Sequence, residues 1–344
     1  MTVKNSSIKD SPIAVLGAGS WGTALAITLA KNGQAVRLWD RDQPLLTEIS
    51  TARRNVRYLP DAPLPDNIVI CTTLALVLEQ VNDILLVVPS HGFTEALQGL
   101  KSFLTPAHRI AWATKGLELE TGHFLHQVAE RELGGDRSYA VLSGPSFAKE
   151  VAIGLPTAVT VASRNQIFAD ELAVRFSQDS FGVYTTDDII GVQLGGVVKN
   201  VLAVAVGISD GVQFGANARA ALITRGLNEM MRLGEVLGAR RETLMGLAGC
   251  GDVILTCTDN QSRNRRFGLA LAEGLTEAEA LTQIGQVVEA VYNVGQLCNL
   301  AKREQVELPI VEQVFRIMKH SVPPKEALKV LFQKAPERES LTNE

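Results

Sequence analysis

Three glycines at G-x-G-x-x-G spacing, two lysines in unusual settings and one serine–arginine–asparagine triplet carry the chemistry that can be read from this chain. The glycines are Gly17, Gly19 and Gly22 in Gly17-Ala18-Gly19-Ser20-Trp21-Gly22. The apolar run Ile13–Leu16 leads into them, a helix-forming run ending at Lys31 leaves them, and Ala35–Trp39 follows after the Asn32-Gly33 stop. In that strand–turn–helix–strand setting the pattern is a dinucleotide fingerprint and not merely a flexible turn. Gly17 makes the tight turn, Gly19 admits the pyrophosphate to the backbone, and Gly22 lets helix and strand pack closely. The amides opening the helix then face the phosphates.

Lys199 lies in Gly195-Gly196-Val197-Val198-Lys199-Asn200-Val201-Leu202-Ala203, a run apolar all round and therefore a buried helix. A lysine there either snorkels to water or lines a polar site, and the glycines before it favour the site. Lys115, in Thr114-Lys115-Gly116, follows a strand of the expected parallel sheet, where ligands collect; a plain surface lysine is the alternative. If the two lysines converge, each lowers the other's pKa and burial lowers both further. Asp252, in Gly249-Cys250-Gly251-Asp252, is the candidate acid to oppose that shift. A lysine so poised gives or takes a proton near neutral pH. In Ser262-Arg263-Asn264, Ser262 caps a helix, and an arginine at a helix N-terminus suits a phosphate group. Arg265 and Arg266 follow, so a solvated basic face is the competing reading.

These residues need elements to place them. Strands are expected at Ile68–Cys71, Ile84–Val88, Arg109–Ala113, Tyr139–Leu142, Thr157–Ala162 and Phe181–Thr185, with helical stretches such as Phe93–Phe103 and Phe124–Leu133 between them. Alternation of this kind gives a parallel sheet covered on both faces. The strand ends run into Gly17, Asp40-Arg41, Pro89-Ser90-His91, Thr114-Lys115-Gly116 and Ser143-Gly144-Pro145-Ser146, the rim of a cofactor crevice. Asp40 suits the ribose hydroxyls of NAD and Arg41 the extra phosphate of NADP, so both cofactors are expected, with Arg41 favouring NADPH. The arginines of Arg53-Arg54-Asn55-Val56-Arg57 read as a solvated loop face more readily than as a phosphate contact.

From about Ile189 the pattern turns to long helices: 192–209, 216–237, 263–273, 287–304 and 311–320. The fold class is α/β, a Rossmann-type doubly wound sheet followed by an all-helical C-terminal domain. Residues 1–190 are expected to form the dinucleotide-binding domain, residues 191–334 the substrate and catalytic domain, and residues 335–344 a charged, frayed tail. The 344 residues, 46% hydrophobic and 20% charged, suit a two-domain globular protein with a large core. A net charge of −4 leaves no basic footprint for nucleic acid or an anionic membrane. The cysteines 71, 250, 257 and 298 form no C-x-x-C pair and no histidine cluster accompanies them, so free thiols and no metal are expected. No secretory or transmembrane segment is recognised, and the protein is expected in the cytoplasm.

Six segments together resemble the bacterial NAD(P)-dependent sn-glycerol-3-phosphate dehydrogenases. They are Gly17–Thr23, Val88-Pro89-Ser90, Ala113–Glu118, Ser143–Glu150, Gly191–Asn200 and Leu255–Gly268, in the family's order from about residue 12 to 330. The resemblance implies reduction of dihydroxyacetone phosphate to sn-glycerol 3-phosphate for glycerophospholipid synthesis. It implies that Ser20, Trp21, Arg41, Ala148, Val287 and Glu289 meet the dinucleotide. Lys115, Gly144, Ser146, Asp252, Ser262, Arg263 and Asn264 then surround substrate and nicotinamide, and Lys199 resembles the proton-transfer residue. Lys115 and Arg263 are shared between the two ligands, Ser146 standing where some members have threonine. A homodimer is the family's usual state. Two other readings remain at this point: a related dehydrogenase acting on an unphosphorylated hydroxy acid, and a dinucleotide-binding redox sensor without turnover.

Overall fold

The computed structural model describes residues 11–332. These divide into two units. The first comprises the described residues up to Thr114 together with Leu125–Ile189, and the second comprises Lys115–Phe124 together with the described residues from Ile190 onward. The segment Lys115–Phe124, expected within the first domain, therefore packs with the helical unit. The expected tail 335–344 lies outside the described residues.

The first unit is built on an eight-stranded sheet: β1 (Ile13–Leu16), β2 (Val36–Trp39), β5 (Ile68–Ile70), β6 (Asp83–Leu86), β7 (Arg109–Trp112), β8 (Tyr139–Ser143), β9 (Thr157–Ala162) and β10 (Phe181–Thr186). Its order is β10-β9-β8-β7-β6-β1-β2-β5. From β5 to β8 all neighbours are parallel, and the order reverses between β1 and β6, where a ligand crevice is expected. Every residue of β1, β6 and β8 is buried, as a strand covered on both faces requires. Helix Ser20–Lys31, uncharged until its last residue, is buried from Gly22 to Ala30.

The edge departs from the expected all-parallel sheet, because β9 runs antiparallel to β8 while β10 is parallel to β9. Between β8 and β9 the only helix is Ala148–Ile153. Six residues rise about 9 Å, well short of the length of a five-residue strand, about 17 Å. The chain accordingly re-enters the sheet at the end it left. The arginine-rich region is also more ordered than a loop: Arg54–Asn55 (β3) and Leu59–Pro63 (β4) form an antiparallel ribbon. Arg53 donates to the carbonyls of Pro65 (2.6 Å) and Ile68 (3.0 Å), while Arg57 stays exposed in a surface pair with Asp42 (2.8 Å).

The second unit is assembled around helix Ile189–Gly211, whose apolar side chains form the centre of its core. By length and hydropathy this 23-residue helix could cross a membrane, yet 89% of its most apolar window is buried within the protein. Helices Gly215–Val236, Asp252–Thr258, Arg263–Ala272, Glu289–Arg303 and Pro309–His320 surround it. Buried Glu229 accepts from the amides of Ile310 (2.7 Å) and Val311 (3.4 Å), satisfying the start of Pro309–His320; burial pushes its carboxyl up to about 7. The unit's short helices Arg241–Met245 and Glu277–Ile284 were not legible, since one or two turns hold too few periodic positions.

Candidate active site

In the first unit the glycine loop has the form its spacing predicts. Gly17 has φ +112°, and a side chain on Gly22 would begin 1.8 Å from the Gly17 carbonyl oxygen. A Cβ on Gly19, by contrast, would meet nothing within 4 Å, which leaves the open face a pyrophosphate needs. Gly19 is the N-cap of helix Ser20–Lys31 and offers no capping side chain, so the amides of Ser20 and Trp21 open the helix uncapped. The half-buried Trp21 indole packs on the sheet core, and its buried Nε1 has no hydrogen-bond partner among the described residues. An open glycine, an uncapped helix start and an unpartnered indole donor fit a dinucleotide phosphate.

Two residues hold this loop. Ala18 N–H donates to Asp40 Oδ2 (2.6 Å), and Ala18 O accepts from Asn55 Nδ2 (2.7 Å), which also reaches Thr23 Oγ1 (2.8 Å). Asp40 Oδ1 accepts from Asp42 N–H (3.0 Å), so both its oxygens serve the protein backbone. Sequence reading placed Asp40 as a ribose contact and missed the roles of both residues. Arg41 is 72% exposed and pairs with equally exposed Glu95 at 3.2 Å. Gly144 (φ +152°) follows β8, Ser146 Oγ donates to the Gly144 carbonyl (3.0 Å), and Ala148 opens the next helix.

The second unit brings Lys115, Lys199 and Asp252 together. Asp252, 1% exposed, accepts from Lys115 Nζ on Oδ2 (2.6 Å) and from Lys199 Nζ on Oδ1 (2.9 Å). Lys199 also donates to Thr256 Oγ1 (3.0 Å), one turn beyond Asp252, a residue absent from the expected site. Lys199 Nζ thus ends on a buried carboxylate and a hydroxyl rather than in water. The backbone permits this approach at Gly195, one turn before Lys199, where a Cβ would lie 2.2 Å from the carbonyl oxygen of Ala248, one turn before Asp252.

The electrostatics follow from burial and charge. Burial lowers the Lys115 ammonium to about 8, with Lys199 adding to the fall and Asp252 opposing it. Burial by itself would raise Asp252, but the two ammonium groups outweigh it and hold the carboxyl below its ordinary range. Lys115 therefore changes charge close to neutral pH.

Ser262 caps helix Arg263–Ala272 through Arg265 N–H (3.2 Å), as expected. Arg263 is half-buried and, among the described residues, its side chain makes no hydrogen bond or ion pair. Burial lowers its pKa, with the charge of Glu289 pulling the other way; the guanidinium stays protonated. Arg265 is turned to Asp210 (2.5 Å) and Asn260 (3.0 Å) and is no substitute. Asn264 and Asn200, the chain neighbours of Arg263 and Lys199, are joined by a 2.9 Å hydrogen bond. Asn264 Oδ1 also accepts from Ala290 N–H (3.1 Å), which ties in the turn carrying Val287 and Glu289. Asn200 and Asn264 are buried; the sequence signal for Asn200 was a second polar residue beside a lysine on an otherwise apolar helix.

A doubly wound nucleotide-binding unit and a helical unit with a buried, ion-paired lysine couple define a two-domain dehydrogenase. The described residues from 12 to 169 match the NAD-dependent glycerol-3-phosphate dehydrogenase N-terminus, and residues 188–329 match the corresponding C-terminus. The chain belongs to this family. It is 55% identical over 308 residues to the glycerol-3-phosphate dehydrogenase [NAD(P)+] of Haemophilus ducreyi, covering 89% of this chain and 92% of that one. Identity to the same enzyme of Mannheimia succiniciproducens is 49%, over 95% of this chain and 98% of that one. A crystal structure of glycerol-3-phosphate dehydrogenase from Coxiella burnetii superposes with a TM-score of 0.92 at 51% identity, covering 94% and 99% of the two chains. D-mandelate dehydrogenase shares the fold at a TM-score of 0.64 and 14% identity.

Proposed function

We propose that this protein reduces dihydroxyacetone phosphate to sn-glycerol 3-phosphate, reversibly, with NADPH or NADH, and so feeds glycerophospholipid synthesis in the cytoplasm as a homodimer. The observation that carries the reading is the buried Asp252 carboxylate shared by Lys115 and Lys199, in a unit that also holds Arg263, unpaired among the described residues.

Bound NADPH or NADH supplies the hydride that the ketone carbon accepts. Ser20, Trp21, the glycine loop, Arg41 and Ala148 would hold the dinucleotide on the first unit. Lys199 Nζ gives its proton to the ketone oxygen as negative charge develops there. Lys115 supports the same charge electrostatically, and Asp252 keeps both ammonium groups in place. Arg263 grips the phosphate in bidentate fashion, so binding energy remote from the reacting carbon is used for orientation. Ser262 and Asn264 complete the substrate contacts of the helical unit. A second assignment makes Lys115 the proton donor, favoured by its lowering to about 8.

The test mixes purified protein, NADPH or NADH, and dihydroxyacetone phosphate, and follows loss of reduced cofactor. Turnover that disappears when the phosphate is omitted from the ketone supports the reading. Equal turnover of a simple 2-oxo acid would overturn it in favour of a hydroxy-acid dehydrogenase, and no turnover at all would leave a cofactor sensor.

A further inference from the structure

Lys115 reaches Asp252 from Lys115–Phe124, a short segment that leaves the strand β7 and belongs with the helical unit. Leu117 and Phe124 pair as an isolated antiparallel bridge, both buried in the helical core, and Glu118 N–H donates to the His123 carbonyl (2.9 Å). At Leu117, two residues from Lys115, the helical unit takes the segment's backbone.

Asn293 does so. It lies on helix Glu289–Arg303, within a stripe of buried Ala290, Val294 and Leu297, and is itself fully buried. An amide in such a place is costly unless its hydrogen-bonding groups are used. Asn293 Oδ1 accepts from Leu117 N–H (2.8 Å), two residues from Lys115. Its Nδ2 donates to the Glu289 carbonyl (2.8 Å) and carboxylate (3.3 Å). The amide is therefore fixed at its nitrogen and uses its oxygen to hold the Lys115 segment. A carboxylate could not donate to Glu289, and leucine could not accept from Leu117.

We propose that Asn293 is a positioning residue that holds Lys115 in its place on Asp252 beside Lys199, and so sets the turnover and pH response of ketone reduction. The charged groups facing Lys115 are Asp252, from helix Asp252–Thr258, and Lys199, from helix Ile189–Gly211. Freed from Asn293, the segment lets Lys115 move towards water, and its pKa climbs from about 8 back towards the ordinary lysine value. This inference rests on the role given to Lys115 above.

The experiment measures kcat and KM against pH for wild type, Asn293→Ala, Lys115→Ala and the double variant. Gln296→Ala serves as control, since Gln296 also holds the segment, through the Leu119 carbonyl, but further along it. Asn293→Ala should lower kcat roughly 10- to 100-fold, the scale of misplacing a reacting group by about 1 Å. Its alkaline limb should move to higher pH, while Gln296→Ala keeps the wild-type limb. Adding Asn293→Ala to Lys115→Ala should cost little more. An unaltered limb in Asn293→Ala, or fully additive losses in the double variant, overturns the proposal and leaves Asn293 a structural residue. If Lys115→Ala itself turns over normally, the role of Lys115 fails first, and the proposal with it. Should Asn293→Ala not fold, Asn293→Ser, whose shorter hydroxyl stops short of Leu117, gives the same readings.

Discussion

Lys199 donates to Asp252 across 2.9 Å, from the middle of the longest helix in the protein to the first residue of a two-turn helix 53 positions later. The pair is buried, and a lysine in that setting is retained for chemistry more readily than for stability. Lys199→Ala should lower turnover by about two to four orders of magnitude, the usual scale for a general acid. Cofactor affinity should survive, because the glycine loop belongs to the other unit. Turnover and NADPH titration of the folded variant check this, and near-normal turnover would remove Lys199 from proton transfer.

Asp252 opposes the lowering of Lys115, so Asp252→Asn should depress that ammonium further. Reduction needs the lysine charged: activity is full below its pKa and is lost as pH rises through it. The wild-type limb assigned to Lys115 is expected near 8, and the variant's limb should lie lower. A pH profile of ketone reduction decides. A limb that stays in place, with only its height reduced, would detach it from Lys115.

Among the described residues Arg263 has no side-chain hydrogen bond or ion pair, while Arg265 is committed to Asp210 and Asn260. Arg263→Ala and Arg263→Lys should both lose most activity on dihydroxyacetone phosphate, because lysine lacks the planar fork. Unphosphorylated dihydroxyacetone should be a very poor substrate for wild type and no worse for the variants. Catalytic efficiencies on both ketones separate a phosphate anchor, which affects one, from a general structural loss, which affects both.

For cofactor choice, Asp40 has both oxygens on backbone amides while Arg41 projects into solvent against Glu95. Arg41→Ala should raise the KM for NADPH more than that for NADH, since only NADPH carries the additional phosphate. Steady-state titration with each cofactor reads this directly; equal changes would take Arg41 out of that role.

Local periodicity was enough for most of the architecture. Alternating apolar strands and helices specified a doubly wound sheet, the glycine spacing specified its phosphate turn, and the apolar run around Lys199 specified a buried helix. These are properties of contiguous residues, where the repeat of a helix or strand is written directly in side-chain type. The roles proposed for Arg263 and its neighbours rest on long motifs shared with a known family, and the cap at Ser262 on its own chemistry.

What the chain alone left open depended on which surfaces meet. Lys115 and Asp252 are 137 positions apart, and no local pattern says that one carboxylate will receive both lysines. The bond from Asn293 to Leu117 spans 176 positions, and it draws Lys115–Phe124 out of the unit that its neighbours in sequence build. The reversal at β9 depended on how far a six-residue helix could carry the chain along the sheet. Asp40 likewise reads as a ribose contact, and Asn55 as an ordinary loop residue, until the fold sets them on either side of Ala18. Side-chain type fixes which face of an element seeks burial. Only packing decides which partner covers that face, and with it which buried polar groups find one another.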